Sequence, residues 1–152
     1  MAFPWSANDI LTAADLNTAF GGSSTGTYTP TLTQSATVTK TTTYAGYSRI
    51  GNWIHGTVAL TVTGTGTAAN AVTVGLPVAC VTGANIVIGT GFIFDASTGT
   101  ALYKGILLLS STTTAQFAVT STATGGRLGT EAFTAALASG DLVNYDFSYP
   151  AA

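Results

Sequence analysis

From residue 54 to residue 62 apolar and polar side chains alternate. Ile54, Val58, Leu60 and Val62 share one parity, and His55, Thr57 and Thr61 the other. A period of two over this length predicts a β-strand with one face buried. The preceding YAGYSRIGNW, residues 44–53, reads as a turn leading into that strand, with Trp53 as a bulky anchor at its start, and the Thr-Gly run after Val62 ends it.

The same period recurs along the chain. Residues 28–34 and 37–44 read as short polar strands, and 71–76 alternates through Val72, Val74 and Leu76 until Pro77 stops it. Residues 85–95 place Ile86, Ile88, Phe92 and Phe94 on one face, and the turn ASTG returns the chain into 100–109 as a hairpin. Residues 115–120 carry Phe117 and Val119 on one side, and 142–149 carry Val143, Tyr145, Phe147 and Tyr149. Short strands separated by Gly, Ser, Thr and Asp turns predict an all-β fold, an antiparallel β-sandwich or jelly-roll domain over residues 28–152.

The first residues differ in kind. Thr12 is placed to cap a short helix over residues 13–20, with Asp15 as its N3 partner, Leu11 and Leu16 as a hydrophobic staple, and Gly21 as the stop. So short a helix needs a surface to dock on. Phe3, Trp5, Leu11, Leu16 and Phe20 supply an apolar one, so residues 1–21 read as an attachment arm with a short helix, or as a helix packed on its own domain. Residues 22–27, GSSTGT, have the composition of a flexible linker.

Composition narrows the function. Only 7% of the 152 residues are charged, against about 25% in ordinary globular domains, so Thr and Ser hydroxyls must supply most of the polar exterior. The formal net charge is -2 and the four basic residues, Lys40, Arg49, Lys104 and Arg127, are scattered, which argues against nucleic-acid binding. The longest aliphatic run, residues 106–109, is far below the roughly 18–20 residues of a membrane span, so no membrane insertion is expected. The opening MAFPWSANDIL lacks the basic and apolar regions of a secretion signal. The single cysteine, Cys80, lies in the apolar run LPVACV and reads as a small buried hydrophobe.

Catalytic chemistry finds little support. His55 is the only histidine, the GxSxG elbow and calcium-loop patterns are absent, and the acidic residues fall in turns or alone. Asp15 suits the helix cap, Asp141 the turn SGD and Asp95 the start of another turn. No enzyme, cofactor or metal site is expected from this set, with one special case: in a trimer three copies of His55 meet on an axis and hold a metal or an anion. The aromatics Tyr28, Tyr44, Tyr47, Trp53, Tyr103, Tyr145 and Tyr149 serve either as sheet packing or as a sugar-stacking surface, packing being the commoner use.

Two regions carry a resemblance. FPWSANDILTAADLNTAFGG, with Leu11, Thr12, Ala13, Leu16 and Asn17, resembles the amino-terminal segment of tailed-bacteriophage virion structural proteins, in which such a helix precedes a glycine-rich linker. YTPTLTQ, then YAGYSRIGNWIHGTVALTVTGTGT, then LASGDLVNYDFSYP are similar to the small β-sandwich module of those proteins. The resemblance implies a non-enzymatic virion protein assembled in the host cytoplasm. It implies a homotrimer anchored to capsid or tail proteins by its arm, as a capsid decoration (cement) protein or a short head or tail appendage. The alternative it leaves open is a tail fibre knob that binds a receptor or a host-surface glycan. In a threefold assembly His55, Tyr103, Leu107 and Leu109 are the expected interface residues.

Overall fold

The structure is a computed structural model and describes residues 12–15, 23–82, 85–97, 101–119 and 135–152. The strands are β1 (Ser23–Thr27), β2 (Leu32–Gln34), β3 (Ala36–Thr37), β4 (Lys40–Ile50), β5 (Trp53–Val62), β6 (Val72–Gly75), β7 (Val87–Asp95), β8 (Ala101–Leu109), β9 (Thr114–Val119) and β10 (Leu142–Pro150). Hydrogen bonds join them into one antiparallel sheet in the order β1-β4-β5-β10-β7-β8-β9-β6-β2-β3, curled into a half-barrel. The domain is thus all-β and antiparallel, as the periodicity predicts. The curl brings inner-face residues three strands apart into contact: Phe117 on β9 meets Tyr145 on β10 edge to face with ring centroids 5.7 Å apart.

The curl has a visible cause in the register. One inner row runs Gly26, Tyr47, Gly56, Phe147, Gly89, Leu107, Phe117 across seven neighbouring strands. From Gly26 to Gly89 absent and large side chains alternate, with the Tyr47 ring over Gly26 and the Phe147 ring over Gly56. A methyl group on Gly26 would meet the Tyr47 ring, and one on Gly56 the Phe147 ring. In the next row, Ala45, Val58, Tyr145, Gly91, Gly105, Val119, Tyr145 and Phe117 fill the space beside Gly91. Curling brings inner-face positions together, and glycine opposite an aromatic lets the sheet bend without overpacking.

β4 and β5 form a hairpin with a two-residue turn, Gly51-Asn52, closed by the pair Ile50 and Trp53. Gly51 has φ 62° and is the first central residue, the geometry that favours glycine in a type II′ turn. Arg49 braces the turn by donating from Nε to the Gly51 carbonyl at 2.9 Å. Residues 44–50, expected to be a turn, are therefore the second half of β4.

Three further expectations are corrected. Ser23–Thr27, inside the expected linker, is an edge strand paired with residues 46–50 of β4. On β7 the pairing register shifts between Val87 and Gly89, so Ile88 is an extra residue on that strand. Beyond such a bulge the inward parity changes: Ile88 and Ile93 are buried, whereas Phe92 and Phe94, predicted on the face of Ile88, point outward and are half-buried. Trp53, expected to anchor the strand, shares the outward parity of His55 and is 48% exposed.

Of the predicted N-terminal helix, residues 13–15 form a helical turn and Thr12 makes its cap. The Thr12 hydroxyl donates to Asp15 Oδ2 at 2.6 Å, and Asp15 Oδ2 also accepts the Thr12 amide at 2.9 Å. These bonds hold the Asp15 carboxyl below its usual range. The rest of the arm, Phe3, Trp5, Leu11, Leu16 and Phe20 included, lies outside the described residues.

Two buried polar groups tie the loops of one end. Gln34 is fully buried on β2; its Nε2 donates to the carbonyls of Ala135 at 2.8 Å and Asn70 at 3.3 Å, and its Oε1 accepts the Leu137 amide at 2.8 Å. Asp141, also fully buried, accepts the Ala96 amide at 2.9 Å and the Ala138 amide at 2.8 Å, beside Gly140 at φ 98°. At the other end the hydroxyl of Tyr149 donates to the Val78 carbonyl at 2.8 Å. Cys80 is buried and free, bridged through its backbone to Ala151, in keeping with the small-hydrophobe reading.

Candidate functional site

Two surface features stand out from the hydroxyl-covered exterior. The first is the end of the half-barrel where β1 begins and β10 finishes. Ser23 pairs with Ile50, Ile50 with Trp53, and Trp53 with Pro150, so four strand ends lie side by side there. The Val81 amide donates to the Pro150 carbonyl at 3.0 Å, which adds the 80s loop to the same rim, and β7 starts at this end with Ile86 and Val87. Among the described residues seven large hydrophobic side chains are exposed: Tyr44, Ile50, Trp53, Val81, Ile86, Val87 and Leu102. Five of these, all but Tyr44 and Leu102, collect at this one end. The opposite end carries the loops held by Gln34 and Asp141 and has no comparable concentration among the described residues.

The second feature is a depression of about 590 Å³ on the outer face of β1, β4 and β5. Antiparallel register sets its floor in two rows: Thr25, Ser48 and His55 in one, and Thr27, Gly46 and Thr57 in the next. Tyr44 lies along the surface across Gly46, its hydroxyl in the space a side chain at Gly46 would take. Trp53 stacks on His55 with ring centroids 6.3 Å apart and planes 22° from parallel. The lining contains no Lys, Arg, Asp or Glu.

The residues expected at a subunit interface separate into three environments. His55 is exposed beside Trp53, Tyr103 is half-buried against the core, and Leu107 and Leu109 are 0% and 1% exposed inside the core of this chain. The two leucines pack within the protomer and offer no surface to a neighbour. Asp146 is exposed and accepts a hydrogen bond from the Thr90 hydroxyl at 3.1 Å. Among the described residues no group of three His, Cys, Asp or Glu side chains is placed to hold a metal ion, and no helix is long and apolar enough to cross a membrane.

Three tyrosines show the cost of their positions. Burial pushes Tyr28 up to about 12, and the adjacent Tyr145 hydroxyl partly offsets the shift. Tyr145 is raised by burial and then by Tyr28. The two hydroxyls lie close enough to influence each other, yet among the described residues neither makes a well-formed hydrogen bond. Tyr149 is raised by burial, partly offset by its bond to the Val78 backbone. All three are core groups that burial holds neutral.

The rim was missed in the sequence because its members come from four separate segments. The depression had a signal, the outward parity of Trp53 with His55 and Thr57. Compared with known proteins, the chain matches no family model and no curated protein.

Proposed function

We propose that this chain is a non-enzymatic structural protein of a tailed-bacteriophage virion, a homotrimeric capsid decoration or short head or tail appendage protein attached through its N-terminal side. The observation that carries the reading is the apolar rim. The chain enters the β-domain at Ser23, next to Ile50, on the end where Ile50, Trp53, Val81, Ile86 and Val87 are exposed together. An exposed apolar cluster of this kind marks a protein contact. An arm with Phe3, Trp5, Leu11, Leu16 and Phe20 in its sequence leads directly to it. Low charge and hydroxyl-rich strand faces suit a protein that sits exposed on a particle. His55 and Tyr103 remain the residues proposed for contacts between subunits.

The test is incorporation. Particles made with Ile50→Glu and Trp53→Glu, or with residues 1–21 deleted, should lack the protein, while the variant accumulates folded in the lysate by circular dichroism and runs as a trimer in light scattering. Undiminished incorporation of both variants would end the anchoring reading, and a monomer at all concentrations would end the trimer.

A further inference from the structure

We propose that the depression on the outer face of β1, β4 and β5 binds a neutral saccharide. The chemistry of the walls selects the ligand class. One flat aromatic face of the lining is left at the surface, Tyr44 at 56% exposure, whereas the other tyrosines on β4, β8 and β10 are half-buried or buried. The ring is not used to fill the core. Tyr44 is laid down on Gly46, where the absence of a side chain lets it lie along the sheet, and at the edge of the depression His55 is stacked with Trp53. A ring fixed in this way presents a broad face to a ligand with little ordering left to do on binding.

Beside the Tyr44 ring the sheet pleat aligns the hydroxyls of Thr25, Ser48 and Thr57 on one surface. A sugar carries the complementary set: an apolar C–H face for the aromatic wall and a rim of hydroxyls that both donate and accept, as Ser and Thr do. An ionic ligand is disfavoured because none of the lining residues is Lys, Arg, Asp or Glu and the one imidazole, His55, is stacked with Trp53, so the lining offers no fixed charge to pair with. A purely apolar ligand would leave the hydroxyls unsatisfied. The volume of about 590 Å³ lies in the roughly 300–1,000 Å³ range of small-ligand sites. None of the lining residues belongs to the arm or to the apolar rim, so the site stands or falls separately from the virion reading.

The test uses the full chain, isotope-labelled, titrated with the methyl glycosides of glucose, galactose, mannose and N-acetylglucosamine and with their linear oligomers. At least one neutral probe should shift the amides of residues 44–48 and 55–57. Tyr44→Ala should weaken that binding by roughly tenfold, the loss expected for one stacking face. Thr57→Arg, which fills the floor, should abolish it, and Leu102→Ala, elsewhere on the outer face, should leave it unchanged. Circular dichroism identifies any variant that fails to fold, and Ser48→Arg then serves as the replacement. The proposal is overturned if no neutral probe produces localised shifts, if binding survives both Tyr44→Ala and Thr57→Arg, or if anionic sugars bind and neutral ones do not.

Discussion

The hydroxyl of Tyr149 donates to the Val78 carbonyl at 2.8 Å and lies 3.4 Å from the Val78 amide nitrogen, so one side chain satisfies both polar groups of a loop residue 71 positions away. Tyr145, four residues earlier on the same strand face, has a buried hydroxyl with no such bond. Phenylalanine should therefore act oppositely at the two sites. Tyr149→Phe is expected to destabilise by about 1–2 kcal/mol, whereas Tyr145→Phe should be neutral or stabilising by up to about 1 kcal/mol. Urea unfolding of the two variants side by side decides it.

Alkaline pH should unfold the protein through its core phenols. Tyr28 is pushed up to about 12, and Tyr145 and Tyr149 are also raised, above the value near 10 of a free phenol. A folded-state value above the unfolded one means the neutral form favours the fold. The contribution is complete below about pH 10 and is lost as pH rises through the folded-state values. Tyrosinate absorbance and circular dichroism followed together should show the ionisation of these three groups coinciding with loss of structure.

Gln34→Leu removes the partner of the Leu137 amide and of the Ala135 carbonyl in a fully buried place. A loss of about 2–4 kcal/mol is expected, since stranded groups keep their full desolvation penalty. Hydrogen exchange should rise first at residues 66 and 137, because the Gly66 amide is bonded to the Leu137 carbonyl.

Gly56→Ala tests the alternation of glycine and aromatic residues. The added methyl would meet the Phe147 ring and the Gly46 carbonyl, and backbone cannot move aside as readily as a side chain. A destabilisation of about 1–3 kcal/mol is expected in thermal melts, with part recovered when Phe147→Leu is combined with it.

How much of this was legible in the sequence depends on whether the cause is local. The parity of Ile54, Val58, Leu60 and Val62 was, because period two and burial coincide on an unbroken strand. Phe92 and Phe94 were placed on the wrong face because the bulge at Ile88 is fixed by pairing with Leu107 and Leu108, not by neighbours in the chain. Ser23–Thr27 has linker composition, and only its pairing with residues 46–50 makes it a strand. Leu107 and Leu109 alternate in the same way whether they face a core or a partner, so periodicity had no means to separate the two. The Gly51-Asn52 turn was readable in principle, since Gly-Asn between two strand-like runs is a hairpin signal.

Ser23 and Pro150 stand on the same rim, three strand spacings apart along the row through Ile50 and Trp53, or about 14 Å. A linker of a few residues is long enough to join them, so new termini can be opened in a turn at the opposite end without crossing the sheet. Anything fused after Ala152 instead leaves the domain beside the segment that leads into β1 and crowds the apolar end. Cargo meant to stand clear of that end belongs in the turns at the opposite one.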